Sequence, residues 1–349
     1  MRGCYTVRRF VQVWRIGKQM ASGLRIGLLG CGFHGRTRLT PALKAAGMFE
    51  LVACADPDET ALKSAQEYGY AKPYLDYKEM LRREKLDGVV VATPHHLLKD
   101  ACLAVIQSGR QLFVEKPASV NKAQAVEVRE AAKKAGVSVM VGFCIRFNPS
   151  RALVKSLLER GAVGQLVQVS AGKGAGPLKT WNARLETGGG ELLWHGVHIT
   201  DQVLWMVGDR AQRVYAEINW HPETGADRDT AYSVRFANGV MANFVVTQSL
   251  ATPFDYVELI GTKGRIRAEW PSEVVHVYSQ VLPEYSHPST LVPTLPNYNV
   301  MYDVQMKAWG ESVLGKKAPP IGIDAAVDTL GIIDAVFESG RKGLAVTVS

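Results

Sequence analysis

An α/β fold, with a doubly wound parallel sheet in its first part and a strand-rich second part, is predicted by three features of this 349-residue sequence. Short apolar runs at 24–29, 50–55, 86–92, 111–114 and 138–141 alternate with helix-compatible stretches, the pattern of a parallel sheet with crossover helices. The run at 86–92 is continuously apolar, as a strand buried on both faces requires. Beyond Gly208 the pattern changes to closely spaced strands at 213–220, 231–236, 240–247, 256–260, 264–270 and 274–280, with a hairpin turn at Asn238-Gly239.

The first run, 24–29, breaks into Gly30-Cys31-Gly32-Phe33-His34-Gly35 and a helical stretch follows to Ala46. Strand, glycine turn and helix in that order bring backbone N–H groups and the positive end of a helix dipole to one point, which suits a dinucleotide pyrophosphate. Gly30 permits the tight turn, Gly32 the approach of the phosphates and Gly35 the packing of helix on strand. The second run ends at Asp56, 21 positions after Gly35, where a carboxylate meets an adenosine ribose 2′-OH. A carboxylate there accepts from a free hydroxyl and repels a 2′-phosphate, so NAD is favoured over NADP.

The elements that follow keep placing polar residues at strand ends. A helix at 58–68 is capped by Asp58 and stopped by Gly69, and another spans 75–85. The strand at 86–92 ends at Thr93-Pro94-His95-His96, and a helix at 97–108 follows. The strand at 111–114 runs into Glu115-Lys116-Pro117 and is followed by a helix at 123–135. In doubly wound sheets ligands lie beyond the carboxyl ends of the strands, and these motifs all sit there. Gly30, Gly32, Phe33, His34, Gly35, Asp56, Thr93, Pro94, His96, Glu115 and Lys116 are therefore the candidate cofactor residues. A lysine beside an oxidised nicotinamide feels a like charge and partial desolvation, which lower its pKa toward that of a proton shuttle.

Bulk properties bound the rest. The length favours two domains. Hydrophobic content of 47% with 21% charged residues is that of an ordinary globular protein, and no run of 18 apolar residues suggests a membrane span. Five cysteines (Cys4, Cys31, Cys54, Cys102, Cys144), odd in number and widely spaced, read as reduced thiols in a cytoplasm and offer no metal site. Of the formal charge of +8, Arg2, Arg8, Arg9, Arg15 and Lys18 place +5 in residues 1–23, which contain no acids. The remaining charge forms no basic block, so nucleic acid is not an expected partner. The basic segment 1–23 reads as an extension outside the fold, with Met20 as the working start, a weak amphipathic surface helix being the alternative. Arg15 and Lys18 interrupt its apolar residues, against a cleaved secretory signal.

The second part begins with a helix at 149–161 and a strand at 165–171, then a loop at 172–187 carrying Lys173, Lys179, Trp181 and Arg184. Gly188-Gly189-Gly190 introduces a helix at 191–207. Glu191, Trp194, His195, His198, Asp201, Gln202 and Trp205 fall on one stripe of it, which reads as the wall of a substrate cleft, a solvated face or a subunit contact being the alternatives. Tyr232, Val234 and Phe236 alternate with Ser233 and Arg235, one face buried and the other mixed, which suits pairing with another subunit. A proline-rich stretch at 282–299 reads as a long irregular loop, and helices at 298–315 and 324–340 with a strand at 344–348 close the chain.

Taken together, Gly30-x-Gly32-x-x-Gly35, Ala55-Asp56-Pro57-Asp58, Ala92-Thr93-Pro94, Glu115-Lys116-Pro117, Gly142-Phe143 with Arg146-Phe147, and Gly188-Gly189-Gly190…Gly196-Val197-His198 resemble the Gfo/Idh/MocA oxidoreductases, from about Leu24 to the C-terminus. The resemblance implies an NAD(P)-binding Rossmann domain at 24–145 and a substrate and oligomerisation α/β domain at 146–349 with a large, mostly antiparallel open sheet. It implies that Lys116 reaches nicotinamide and substrate, that His198 is the second catalytic residue, and that the protein is a homo-oligomer, a dimer or tetramer. The implied reaction is hydride transfer between NAD and a secondary alcohol or ketone of a sugar, cyclitol or sugar derivative, with Arg146, Trp181, Trp194, His195 and His198 on the substrate side. Two departures stand out. His95 and Leu98 interrupt the family's Thr-Pro-Asn-x-x-His. Trp194 occupies the place of the aspartate in Gly-Gly-Gly-x-x-x-Asp-x-Gly-x-His, and an indole cannot carry a proton. Either Lys116 and His198 act alone, or His195 serves as an auxiliary proton carrier, or catalysis is lost. A non-catalytic NAD-sensing protein and an NAD-dependent glycoside-cleaving enzyme are the alternative functions.

Overall fold

The computed structural model describes residues 7–10, 23–295, 297 and 299–348. The described residues divide into two compact units, one formed by residues 23–144, 297 and 299–327, the other by 7–10, 145–295 and 328–348. A single cut between 145 and 146 does not describe this division, because a late segment returns to the first unit. The first strand described, β1 (Val7–Phe10), belongs to the second unit.

In the nucleotide unit, β2 (Leu24–Leu29), β3 (Phe49–Ala55), β4 (Lys72–Tyr74), β5 (Gly88–Val91), β6 (Gln111–Glu115) and β7 (Val139–Gly142) form a sheet in the order β4-β3-β2-β5-β6-β7. Every pairing in it is parallel. The strand order reverses between β2 and β5, so a crevice opens where β2 ends at the glycine turn. The short edge strand β4, Lys-Pro-Tyr, carries no apolar run; Pro73 is tolerated there because an edge strand needs fewer ladder donors.

Capping side chains set the helix starts. Asp58 accepts from Thr60 N at 2.8 Å and opens α2 (Glu59–Glu67), after α1 (Thr40–Ala46). Asp76 accepts from Lys78 N at 2.8 Å, so α3 (Tyr77–Arg83) starts later than the apolar pattern suggested. The remaining helices are α4 (His95–Gln107), begun at Pro94, and α5 (Lys122–Ala135), capped by Asn121. Residues 297–327 complete this unit's core. Trp309, on the helix Val300–Gly315, is fully buried, stacks on Phe49 at 5.5 Å between ring centroids and lies 5.8 Å from Phe113. A Cβ on Gly88 would come within 3.0 Å of that indole, so the glycine keeps the slot open.

In the second unit, α6 (Pro149–Glu159) and α7 (Val197–Val207) accompany β8 (Leu166–Gly174), β9 (Ala211–Trp220), β10 (Asp227–Phe236), β11 (Met241–Thr247), β12 (Phe254–Gly261), β13 (Gly264–Trp270), β14 (Val274–Ser279), β15 (Ser289–Pro293) and β16 (Val346–Thr347). Among the described residues the sheet order is β1-β15-β14-β13-β12-β8-β11-β10-β9-β16. β1–β15 and β8–β11 pair parallel and the other neighbours antiparallel. Tyr232, Val234 and Phe236 face inward, as their alternation predicts, and Tyr232 stacks on Phe244 at 4.4 Å.

Two expectations change. The stretch 282–299 is not wholly irregular: it holds a helical turn at Pro283–Tyr285 and the strand β15, whose prolines bracket it rather than interrupt its ladder. Of the basic segment 1–23, Val7–Phe10 pair with β15 in parallel register and so join the sheet; Met20 and Cys4 lie outside the described residues. Cys31, Cys54, Cys102 and Cys144 are buried and unbridged. Among the described residues no helix is long and apolar enough to cross a membrane.

Candidate active site

In the nucleotide unit the site is built at the end of β2. Gly30 has φ +89°, and a Cβ there would run into the Ala92 carbonyl at the end of β5. Around Gly32 the opposite holds: no atom lies within 4 Å of where its Cβ would be. The helix that follows begins at Phe33 and is π-wound over Gly35–Leu39; the residue before it, Gly32, has no side chain with which to cap it. Its first N–H groups are thus not satisfied by a capping side chain, the arrangement an anion exploits. At the end of β3, Asp56 is fixed by two backbone donors, Cys31 N to Oδ2 at 2.8 Å and Asp58 N to Oδ1 at 2.9 Å. A carboxylate offers about four lone-pair sites, so this anchoring leaves capacity to accept ribose hydroxyls. Thr93, at the end of β5, has a buried Oγ1 with no protein partner among the described residues. Open space at Gly32, an anchored acceptor at Asp56 and an orphaned hydroxyl at Thr93 together fit a dinucleotide.

Glu115 and Lys116 end β6. The Glu115 carboxylate is buried; its Oε1 lies 3.2 Å from His34 Nε2 and its Oε2 accepts from Lys116 N at 3.2 Å. Gly142 makes room for it, since a Cβ there would come within 2.9 Å of Glu115 Oε1. Tyr302, from the returning segment, meets the His34 ring edge-on at 5.5 Å. Burial, with Cys144 and Glu115 adding to it, pushes the Tyr302 phenol well above its ordinary range. Two residues on, Ala118 holds φ +71°, a left-handed conformation costly for a residue with a Cβ, and such strain gathers at functional sites. Phe33 is 67% exposed with Arg38 over its ring, His96 is exposed, and Pro94 precedes the first turn of α4.

The second unit repeats the device with different chemistry. Gly189 and Gly190 take φ +78° and +81°, and the helix they introduce is π-wound over Leu192–Gly196 before becoming α7. Here a carboxylate from β10 fills the helix start: Asp227 Oδ2 accepts from Leu192 N at 2.9 Å. A Cβ on Gly190 would run into Asp227 Oδ1. Burial pushes the Asp227 carboxyl up to about 7, against the lowering effect of its backbone and Thr230 donors. Glu191, 0% exposed, places Oε1 2.6 Å from His195 Nδ1. Trp194 packs edge-on between Trp181, at 5.7 Å, and His195, at 6.1 Å.

The expected stripe is present, and burial of Glu191, His198, Asp201 and Gln202 excludes a solvated face. Arg146 has a structural task that the sequence did not reveal. Its guanidinium grips Asp201 through both ends, Nε to Oδ2 at 2.8 Å and Nη2 to Oδ1 at 2.5 Å, and lies over the Trp205 ring. Lys173 is likewise engaged: with Arg151 it brackets buried Asp255, at 2.7 and 2.6 Å. Burial alone would raise that carboxyl, but the two cations outweigh it and hold it at about 2.

Sequence reasoning gave no role to Gly142, Tyr302 or Asp227. The first carried a signal in its motif; the other two come from distant elements and carried none. Within the nucleotide unit the structure brings together the Gly30–Gly35 turn, Asp56, Thr93, Glu115 and Lys116 at the carboxyl edge of the parallel strands. Within the second it brings Trp181, Trp194, His195 and His198 to the π-wound helix and its preceding loop.

A six-strand parallel sheet of this order, with an open glycine cradle at its switch point, defines a dinucleotide-binding architecture. Residues 24–143 match the oxidoreductase family with an NAD-binding Rossmann fold, and residues 152–267 match the GFO/IDH/MocA C-terminal domain. The chain belongs to the Gfo/Idh/MocA family, and its first unit is an NAD-binding Rossmann domain. It is 28% identical over 257 residues to a myo-inositol 2-dehydrogenase of Thermotoga maritima, covering 70% of this chain and 75% of that protein. It is 26% identical over 345 residues to the scyllo-inositol 2-dehydrogenase (NAD(+)) of Bacillus subtilis, covering 94% and 97%. The solved structure of GenD2 from gentamicin A biosynthesis, in complex with NAD, superposes with a TM-score of 0.85 at 25% identity, covering 97% of this chain and 100% of that one.

Proposed function

We propose that this protein is an NAD-dependent dehydrogenase or reductase acting on a secondary alcohol or ketone of a sugar, cyclitol or sugar derivative. The observation that carries the reading is the gathering of the Gly30–Gly35 turn, Asp56, Thr93 and Glu115-Lys116 at one edge of the parallel sheet. Support for the substrate class comes from the inositol dehydrogenases among the relatives. Bound NAD supplies the hydride acceptor. The chain's own task is alignment and proton handling. Gly32 admits the phosphates, Phe33, His34 and His96 border the nucleotide, and Asp56 accepts the ribose hydroxyls and disfavours a 2′-phosphate. Lys116 relays the hydroxyl proton, His198 orients the hydroxyl, and His195 assists as a second proton carrier. Trp181 and Trp194 offer aromatic faces to the apolar side of a ring. The outward side chains of the second sheet, Tyr215, Met241 and Val245 among them, are exposed apolar groups that favour sheet-to-sheet pairing of copies as a dimer or tetramer.

Purified protein with NAD and a panel of polyols, cyclitols and sugars tests this. Steady NADH formation is the expected result, with Lys116→Ala lowering kcat roughly 10²–10⁴-fold while NAD still binds. NAD binding without turnover on any alcohol would instead favour a sensing role, the reading that Trp194 in place of an aspartate motivates. Release of sugar from glycosides at constant NADH would favour glycoside cleavage.

A further inference from the structure

We propose that Glu191 is the positioning residue for His195, and that this couple provides the proton transfer that the indole of Trp194 cannot supply. The inference rests on the dehydrogenase reading above.

Glu191 and His195 are one helical turn apart, and Oε1 stands 2.6 Å from Nδ1. The carboxylate is 0% exposed, whereas the imidazole is 20% exposed. A buried carboxylate accepting from Nδ1–H fixes the tautomer, so that Nε2 carries the lone pair. It also stabilises the imidazolium once Nε2 is protonated. The winding favours the pair: the five residues from Leu192 are π-wound, a local widening that recurs at functional sites. Trp194, one residue before, packs against Trp181 and the His195 ring and limits the imidazole's freedom.

The step balances simply. As the carbinol C–H pair leaves as hydride to NAD, the O–H bond breaks, the C=O bond forms, and one proton remains to be delivered to water. Lys116 takes that proton from the hydroxyl, and His195 Nε2 accepts it in turn and releases it to solvent from its exposed edge; Glu191 neither gains nor loses one. In reduction the same proton travels the other way. Among the described residues, the other ionisable groups that meet this helix include Asp227 on β10, Lys155 on α6, and Arg146, which pairs with Asp201 of the helix; Lys173 on β8 is held by Asp255, and His198 lies along the helix itself.

The test uses full-length Glu191→Gln, Glu191→Asp, His195→Asn and the double variant Glu191→Gln/His195→Asn, with kcat, KM, NAD affinity and the NMR titration of the His195 ring. Expected are a fall in kcat of about 10–100-fold in Glu191→Gln with KM and NAD affinity little changed, partial recovery in Glu191→Asp, and a double variant no slower than His195→Asn. The His195 titration midpoint drops by about one pH unit or more when the carboxylate becomes an amide. An undiminished kcat in Glu191→Gln, a double variant whose loss is the product of the single losses, or an unmoved His195 midpoint overturns the proposal while leaving the dehydrogenase reading intact. Wild-type protein that forms no NADH with any alcohol overturns both. Should Glu191→Gln fail to fold, His195→Asn, at a partly exposed position, decides: a kcat loss at unchanged KM supports the assignment and wild-type kcat refutes it.

Discussion

The glycine turns at Gly30–Gly35 and Gly188–Gly190 are built alike and used differently. Each feeds a helix whose opening is π-wound, over Gly35–Leu39 in one and Leu192–Gly196 in the other. At the first, the approach is left open: nothing stands near the missing Cβ of Gly32, and the nearby carboxylate, Asp56, is held to the side by Cys31 N and Asp58 N. At the second, the protein fills the helix start itself, with Asp227 on Leu192 N and Glu191 turned to His195. A helix N-terminus is therefore not a ligand site by virtue of its dipole alone; what matters is whether the chain has already placed a carboxylate there.

The largest test of this contrast separates two glycines of the first turn. Gly30→Ala puts a methyl into the Ala92 carbonyl and requires φ +89°, itself a penalty of about 1–2 kcal/mol before the clash. Loss of the cooperative thermal transition of the nucleotide unit, together with NAD binding, is expected. Gly32→Ala meets open space, so its melting temperature should match wild type while NAD affinity, read by calorimetry, falls tenfold or more. Equal melting losses in both variants would show that the turn is structural rather than open for phosphates.

A smaller effect is expected at Asp56. Removing its acceptors in Asp56→Ala should weaken NAD by about 1.5–3 kcal/mol, the range for hydrogen bonds to a charged group, and narrow the preference over NADP. Titration of both nucleotides reads this, and an unchanged NAD/NADP ratio would remove Asp56 from the ribose site. The subtlest test concerns the filled turn. Asp227 is raised from 3.8 to about 7, so between those values the folded protein holds a proton that the unfolded chain has lost. Stability should fall with a slope of up to about one proton as pH rises from 4 to 7, then level off. Denaturant midpoints of Asp227→Asn across that window should show a flatter profile than wild type. Asp255, held near 2, acts in the opposite sense, withdrawing stability only as pH falls below 4, outside that window.

The same contrast explains what the sequence revealed. The first turn was legible because its chemistry is backbone chemistry, and glycine spacing with a carboxylate at the next strand end reports backbone directly. The second was half legible. Its stripe of Glu191, Trp194, His195 and His198 could be read from helical spacing, but the pairing of Glu191 with His195 depends on burial, and the intrusion of Asp227 depends on a strand formed much later in the chain. Arg146 illustrates the converse: an arginine in a family motif looked available for substrate until Asp201 claimed both ends of its guanidinium. The strands β4 and β15 escaped notice because prolines, which punctuate a sequence, lie at their ends or at the sheet edge where they do no harm.

Trp309 carries a consequence for biosynthesis. Its indole packs against Phe49 and Phe113, yet it is made 167 residues after the last strand of that sheet ends at Gly142. Until the ribosome has passed that point, the nascent Rossmann unit presents an uncovered greasy surface and is a natural client for a holdase chaperone.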